Sequence, residues 1–284
     1  MKEDAATLSY EIRPFATLEE YEACAEFQEE IWGAGFSERV SAAILMVANK
    51  IGGLAAGAYG PEGRLLGFVF GLTGVQGGEL VHWSDMLAVR EGIRDLGLGR
   101  ALKAYQREVL LGRGIRRMHW TFDPLQSRNA YVNFAHLGIV SNEYVQDMYG
   151  DTGSPLHGVG TDRLIATWFM DSERVKERME GRGAAADPGG SPLPGRAALS
   201  ATESSPFLRP GEPRLGLQEP RVHLPIPRDI DAIMVADQGL ARAWRHATRA
   251  VFQDYMGRGY QVRELIPQGS VSQYILAREG EREG

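Results

Sequence analysis

Cysteine is nearly absent from the sequence, which has one such residue, Cys24, among 284. A single cysteine excludes an internal disulfide and a metal cage built from several cysteines. Also missing are the roughly 20 consecutive apolar residues that a membrane span needs and, in residues 1–14, the apolar run of a secretory signal peptide. We therefore expect a cytoplasmic protein with no metal site and no membrane partner.

Positive charge is scarcer than negative charge, because 31 Lys and Arg residues face 37 Asp and Glu residues and the net charge is −6. Binding to nucleic acid needs a surplus of basic side chains to neutralise phosphates, so we expect no nucleic-acid partner. A small polyanionic ligand needs only a local positive site and is compatible with this charge. The length of the chain predicts two structural units.

The spacing of apolar residues predicts an α/β chain. A capping box at Thr17 and Glu20 predicts the start of the first helix, and Cys24 on the apolar stripe of this helix is expected in the core. The further predicted elements are, in chain order, a helix at 40–48, strands at 53–59, 65–72 and 79–89, a helix from residue 98, a strand at 116–122, a short helix at 128–136, and strands at 139–145 and 162–170.

The composition shifts to Gly, Pro, Ala and Ser between about residues 181 and 220, which predicts a linker. The elements predicted after it are a strand at 222–226, a long helix, and strands at 260–266 and 271–277. We therefore expect a first domain at 1–172, the linker at 181–220 and a small α+β C-terminal unit at 221–284.

A glycine-containing loop, Arg94-Asp95-Leu96-Gly97-Leu98-Gly99, lies where a predicted strand ends and a helix begins. The glycines let the backbone approach a ligand closely. The first N–H groups of the helix have no partners, and the helix presents its positive end there. Because Arg94 and Arg100 add positive charge, the loop predicts binding of a phosphate or pyrophosphate. A tight strand-to-helix turn with no ligand is the alternative.

Two other kinds of phosphate loop do not fit this sequence. The nucleoside-triphosphate loop needs Gly-Lys-Ser or Gly-Lys-Thr after its glycines, and neither is present. The dinucleotide fingerprint needs a third glycine where Leu102 stands, and the preceding strands are predicted to form hairpins. In the helix after the loop, Arg100, Lys103 and Arg107 are expected on the polar face, opposite an apolar stripe.

The pattern Arg94-x-x-Gly97-x-Gly99, between a strand ending at Val89 and an amphipathic helix, resembles the signature motif of the GNAT acyltransferase superfamily. The order of predicted elements from Tyr10 to Met170 is also similar to that family. The resemblance implies a mixed, mostly antiparallel central sheet flanked by helices, and a branch of the family with a C-terminal extension.

The resemblance also implies a set of residues that bind coenzyme A. The loop backbone would bind the pyrophosphate, and the edge of the preceding strand would pair with the pantetheine arm. The residues that this implies are Leu87, Val89, Arg94, Asp95, Leu96, Gly97, Leu98, Gly99, Arg100 and Asn129.

Transfer of an acyl group to an amine needs a general base, for which Asp85 is the candidate. Trp83, Asp85 and Leu87 are predicted to share one face of a strand that would run beside the thioester, unless a bulge reverses the alternation. An Asp that bonds to backbone near a strand end is the alternative. His82 and His119 are fallback bases that otherwise read as structural histidines.

The general acid departs from the family pattern. Where GNAT proteins commonly have a Tyr four residues before a helix-ending glycine, this sequence has Phe134 before Gly138. Tyr131 is one candidate replacement, and Tyr255, in a downstream segment that resembles the closing half of a GNAT domain, is another. Both tyrosines also fit core positions, and transfer without a dedicated acid stays open.

The resemblance implies an acyltransferase that moves an acyl group, with acetyl expected, from coenzyme A to an amine of a small molecule. Acetyl-coenzyme A is the expected co-substrate, and no metal is expected. A non-catalytic protein that senses acyl-coenzyme A, an enzyme that acetylates a protein or peptide amine, and a homodimer all stay open. Asp162 and Arg163 either bind a carboxylate of the substrate or form a surface ion pair.

Overall fold

The structure is a computed structural model and describes residues 9–94, 96–150, 159–182, 193, 195–202 and 204–278. The chain divides into two compact units, Met1–His119 and Trp120–Gly284. Each is built on a mixed, mainly antiparallel set of strands flanked by helices, so the predicted fold class is confirmed.

Five strands form the sheet of the first unit in the order of the chain, and each neighbouring pair is antiparallel except the last. The strands are β1 (Glu11–Pro14), β2 (Leu54–Tyr59), β3 (Leu65–Gln76), β4 (Glu79–Val89) and the beginning of β5 (Arg117–Phe122). The helices are α1 (Leu18–Trp32), α2 (Ala42–Lys50) and α3 (Leu98–Gly112).

The predicted capping box begins α1. The Thr17 side chain accepts from the backbone N–H of Glu20, and the Glu20 carboxylate accepts from the N–H of Thr17. Cys24 is fully buried in the core, as predicted. Burial raises the pKa of its thiol to about 12, so Cys24 is a packing residue and not a reactive one.

Two apolar clusters cover the two faces of the first sheet. The first, which we call the α1–α2 face, contains aromatic residues from α1 and β3 together with Met86 and Ala88 of β4. The second, the α3 face, contains Leu98 and Leu102 of α3, and Leu87 of β4 packs against it. Burial on both faces explains the nearly continuous apolar run of β3.

The second unit contains the end of β5 and a sheet in the order β7-β6-β12-β13-β11-β8. Its strands are β6 (Val140–Val145), β7 (Arg163–Phe169), β8 (Arg196–Ala197), β9 (Ala201–Thr202), β10 (Arg209–Pro210), β11 (Arg221–Pro227), β12 (Tyr260–Gln268) and β13 (Val271–Arg278). Its helices are α4 (Ser127–Tyr131), α5 (Glu173–Met179), α6 (Ile230–Ala236) and α7 (Gln238–Gly257), and a π-helical segment, Val132–His136, follows α4. Helices α5 and α6 were not predicted.

The C-terminal part of the chain belongs to the same compact unit as β6 and β7. Strand β12 pairs antiparallel with β6 through Val262 and Ser141, and Arg245 of α7 forms a 2.6 Å ion pair with Asp123. The chain divides into compact units after His119, whereas the sequence predicts domain borders at 172, 181 and 221. The borders of the first domain, the linker and the C-terminal unit at 172, 181 and 221 stay predictions.

Part of the predicted linker is packed against α7. Ala198 and Leu199 are buried, and the carbonyl oxygen of Leu208 accepts a 3.0 Å hydrogen bond from the Trp244 indole. Tertiary contacts therefore order these described residues of the predicted linker. The other linker residues, at 183–192, 194 and 203, lie outside the described residues.

None of the helices in the described ranges is long and apolar enough to cross a membrane.

Candidate active site

The predicted phosphate loop ends in a left-handed glycine at the start of α3. Gly97 is the N-cap residue, with φ 84°, a conformation that glycine adopts without strain. The first intrahelical bond of α3 runs from Ala101 N to Gly97 O at 3.0 Å, so the N–H groups before it have no acceptor within the helix. An anion at this end of α3 is favoured by those donors and by the helix dipole.

Gly99 lies directly over the end of β4. A Cβ atom built on Gly99 would lie 3.6 Å from Leu87 Cδ2 and 3.9 Å from Val89 Cγ2. The structure therefore brings together three residues that were predicted to bind the coenzyme. Arg94 is exposed, and its Nε donates a 3.3 Å hydrogen bond to Val89 O.

The remaining loop residues differ in burial. Leu98 is buried in the core on the α3 face, so its backbone and not its side chain is available to a ligand. Leu96 is exposed and Arg100 is partly exposed. Asp95, another predicted coenzyme residue, lies outside the described residues.

Strand β4 pairs with β5 over only part of its length. Val81–Trp83 pair in parallel with Arg117–His119, whereas the pairing with β3 continues to Val89. Within the described residues of the first unit, the β5-side edge of Asp85–Val89 has no strand partner. Backbone groups at this edge, next to Gly99, can hydrogen-bond an extended ligand.

Asp85 is the extra residue of a β-bulge. Gly71 pairs with Ser84 and Phe70 pairs with Met86, so the register of β3 and β4 skips Asp85. A bulge of this kind reverses the alternation of side chains along the strand. Ser84 accordingly contacts α3 residues, whereas Met86, two residues later, packs on the α1–α2 face.

The prediction that Trp83, Asp85 and Leu87 share one face is therefore wrong. Leu87 packs on the α3 face, and Trp83 alternates with His82 and Ser84, which contact α3. The register of β3 and β4 skips Asp85, which is an exposed residue.

The pKa of Asp85 is raised above its ordinary value. The main cause is desolvation by the surrounding protein, the second is the negative charge of Glu38, and a hydrogen bond with Trp83 acts in the opposite direction. A carboxylate with a raised pKa is a better proton acceptor. Sequence reasoning missed Glu38, which lies between α1 and α2 and has no motif around it.

His82 is a structural residue, which was the alternative interpretation. Its ring is fully buried, with Nδ1 3.0 Å from Thr73 Oγ1 and Nε2 3.0 Å from the Gln106 amide. Burial, with the nearby charges of Lys103 and Arg113, lowers its pKa to about 3. A histidine that stays neutral and whose two ring nitrogens are both engaged is a poor candidate for the base.

Lys103 was predicted on the polar face of α3, and this prediction is wrong. Its side chain is 7% exposed, and Nζ donates to Ser84 Oγ at 2.8 Å and to Gln106 Oε1 at 3.3 Å. Burial lowers its pKa to about 7. Sequence reasoning missed this group because a Lys at helical spacing with arginines predicts a solvated face.

In the second unit, Asn129, Tyr131 and Phe134 lie on α4 and the π-helical segment after it. Asn129 is exposed, and Tyr131 is partly buried, with its ring edge-on to His136 at 5.2 Å. Phe134 is fully buried, between the rings of Phe122 and Tyr274. Phe134 is therefore a core residue.

Tyr255 is also a core residue, which was the alternative to a catalytic role. The side chain is fully buried, and the hydroxyl donates to Arg214 O at 2.6 Å and accepts from Leu217 N at 3.3 Å. Burial raises the pKa of this hydroxyl. Both contacts are structural, so the structure offers no support for a proton-donor role.

Asp162 does not form a surface ion pair. It is fully buried and accepts two hydrogen bonds from the Arg249 guanidinium, at 2.6 and 2.8 Å, and one from Tyr144. Burial opposes its ionisation, but these bonds keep its pKa below the ordinary value. A carboxylate satisfied in this way connects α7 to β7 and is not available to a substrate.

No family model matches the sequence, and no curated protein is similar to it in sequence. Several solved structures are similar to this chain. A protein from Acinetobacter baylyi that is assigned as an acetyltransferase is 14% identical, with 59% of this chain and 96% of that chain covered and a TM-score of 0.48. The ribosomal-protein-S18-alanine N-acetyltransferase from Escherichia coli is 17% identical, with 58% and 96% covered and a TM-score of 0.44.

An acetyltransferase of the GNAT family from Streptococcus pneumoniae is 16% identical, with 56% of this chain and 98% of that chain covered and a TM-score of 0.45. At such identities and TM-scores, the likeness decides neither the activity nor the substrate of this chain.

Proposed function

We propose that the chain is an N-acyltransferase that moves an acyl group, with acetyl expected, from coenzyme A to an amine of a small molecule. The observation that carries the proposal is the end of β4. There a strand edge with no partner among the unit's described residues, a bulged carboxylate and the N-terminus of α3 occur together.

The residues at this end of β4 fit an extended ligand with a pyrophosphate. The N–H groups at the start of α3 would bind the pyrophosphate, because Gly97 is left-handed and Gly99 has no side chain. The edge of Leu87–Val89 would accept the amide-containing arm by strand-like hydrogen bonds. Arg94 and Arg100 supply positive charge near the loop. Acyl-coenzyme A, when bound, would supply the thioester that is the acyl donor.

Asp85 is the proposed general base for this transfer. An ammonium group must lose a proton before its nitrogen can attack a carbonyl, and a carboxylate with a raised pKa can accept that proton. A bond from the amine nitrogen to the acyl carbon then forms as the carbon–sulfur bond breaks. The sulfur leaves as a thiolate and takes up the second proton, which the nitrogen releases as it becomes an amide. The reaction can therefore proceed without a dedicated acid; Tyr131 stays a candidate for that role.

The charge around the bulge favours a cationic acceptor. Asp85 and Glu38 are close enough for the charge of Glu38 to raise the pKa of Asp85. Two neighbouring carboxylates attract an ammonium group and repel an acidic acceptor. This supports an amine as the substrate.

A second candidate function has one observation in its favour. Phe134 has no proton to donate and is buried among aromatic rings, so a protein that binds acyl-coenzyme A without turnover is the rival. The two functions differ in whether free thiol is released when an amine is present.

The test incubates the whole chain with acetyl-coenzyme A and a panel of small amines, with a pool of peptides as a separate arm. Release of free thiol and an acetylated small amine, detected by mass spectrometry, are the expected results. Binding of acetyl-coenzyme A without thiol release in any arm would contradict the enzyme and favour the sensor. Turnover with peptides alone would contradict the small-molecule acceptor.

A further inference from the structure

A buried polar network connects α3 to β4 directly before Asp85. Its members are His82 and Ser84 on β4, Lys103 and Gln106 on α3, and Thr73 on β3, and their contacts are all hydrogen bonds of 2.8–3.3 Å. The two residues on β4 and the two residues on α3 are each less than a tenth exposed. This network interrupts an otherwise apolar interface.

The hydrogen-bond directions in the network are mutually consistent. Thr73 donates its hydroxyl hydrogen to Gly52 O at 2.7 Å, so its oxygen accepts from Nδ1–H of His82. Nε2 of His82 then accepts from the amide nitrogen of Gln106. The amide oxygen of Gln106 accepts from Ser84 and from Lys103. Each of these polar groups therefore donates or accepts a hydrogen bond, as a buried network requires.

The network can accommodate either protonation state of Lys103. As an ammonium, Nζ donates to Ser84 Oγ, Gln106 Oε1 and, more weakly, Met118 Sδ at 3.8 Å. As a neutral amine it can accept from the Ser84 hydroxyl, which rotates freely. The nearby titratable and charged groups do not compete for these contacts: His82 is neutral, and Arg113 donates to the carbonyl oxygens of Gly52 and Gly53.

Ser84 immediately precedes the bulged Asp85. In a regular strand, Ser84 would face the same side as Met86, and Asp85 would point into the α3 face with Leu87. Hydrogen bonds from α3 to Ser84 fix one side of the bulge, while packing of Met86 on the α1–α2 face fixes the other. The network therefore opposes the regular register.

We propose that Lys103 is a positioning residue for Asp85: through Ser84 it fixes the bulge that turns the carboxylate away from the core. The inference rests on the proposed function, in which Asp85 is the base. It assigns to α3 a second role, because the helix that begins at the coenzyme loop also sets the position of the base.

The test replaces Lys103 by Met, which has a similar length but no N–H donor. Lys50→Met, at the exposed end of α2, is the matched control. In Lys103→Met we expect kcat to fall at least tenfold while KM for acetyl-coenzyme A stays within twofold, because the loop is unchanged and the base is displaced. Amide hydrogen exchange over 80–90 should be at least tenfold faster, and Lys50→Met should change neither quantity.

A smaller change, Ser84→Ala, keeps the proposal testable if Lys103→Met does not fold. The double variant should be no slower than the worse single variant, since both break the same contact. Unchanged exchange over 80–90, kcat within twofold of wild type, or additive losses in the double variant would overturn the proposal. If wild-type protein releases no thiol, the proposed function fails, and the exchange rates still decide whether Lys103 fixes the bulge.

Discussion

The ring of His82 occupies the space that a side chain on Gly71 would need. A Cβ atom built on Gly71 would lie 2.3 Å from His82 Nε2 and 2.4 Å from the carbonyl oxygen of Trp83. Gly71 also pairs with Ser84, directly before the skipped Asp85. The missing side chain thus lets β3 close over the ring beside the bulge.

Gly71→Ala should therefore destabilise the protein. Because one of the two close atoms belongs to the backbone, the strands must separate to admit the methyl group. We expect the free energy of unfolding to fall by about 2 kcal/mol or more. The control is Gly74→Ala on the same strand, where an added Cβ meets nothing within 4 Å. Urea unfolding with equal midpoints for the two variants would contradict the close approach of Gly71 and His82.

Asp85→Asn tests the base and its pH dependence. The amide cannot accept a proton, so kcat should fall by on the order of 10²–10⁴ while acetyl-coenzyme A still binds. In the wild type, kcat/KM should decline as the pH falls through the raised pKa of Asp85, above the range of an ordinary Asp. Glu38→Gln removes a like charge and should move this decline to lower pH. Full turnover of Asp85→Asn at neutral pH would exclude the role.

Lys103 predicts a specific dependence of stability on pH. Its pKa is about 7 in the folded protein and about 10.4 in an unfolded chain. Between these values the unfolded state binds more protons, so this group makes the free energy of unfolding rise with pH. The free energy of unfolding of the wild type should therefore rise relative to that of Lys103→Met, by at most about 1.4 kcal/mol per pH unit from pH 7.5 to 9.5. Guanidinium unfolding at each pH gives these free energies. If they change with pH in parallel for the two proteins, the lowered pKa of Lys103 is contradicted.

Much of the first unit could be predicted from local patterns. The capping box at Thr17, the bounds of β4 and the start of α3 after Gly97 depend on residues close together in the chain. The bulge at Asp85 was an open alternative that no local pattern decides, because it depends on the register between two strands. The burial of Lys103 could not be predicted either, since Ser84 is 19 residues away.

The second unit shows the same limit over longer separations. The bond from Arg245 to Asp123 joins residues 122 positions apart, and the bond from Tyr274 to Pro124 joins residues 150 positions apart. Periodicity predicted the helix that carries Arg245 and the strand that carries Tyr274, but no local pattern indicates which part of the chain these residues contact.

Tyr255→Phe separates a structural tyrosine from a catalytic one. The variant leaves Arg214 O without its 2.6 Å donor, so we expect a loss of about 1–3 kcal/mol in the free energy of unfolding. Because both contacts of the hydroxyl are structural, kcat should stay within twofold. The free energy of unfolding and kcat of Tyr255→Phe are compared with those of Tyr131→Phe, since Tyr131 is partly exposed. A loss of kcat in Tyr255→Phe with unchanged stability would contradict the core interpretation.

Calorimetric titration of acetyl-coenzyme A into wild type, Gly99→Asp and Gly112→Asp tests the coenzyme loop most directly. Gly99 lies in the first turn of α3, whereas Gly112 ends the same helix and an added Cβ there meets nothing within 4 Å. A carboxylate at position 99 would oppose the pyrophosphate, so affinity should fall at least tenfold, about 1.4 kcal/mol, and Gly112→Asp should bind as the wild type does. Equal affinities in folded Gly99→Asp and wild type would contradict the proposed coenzyme site.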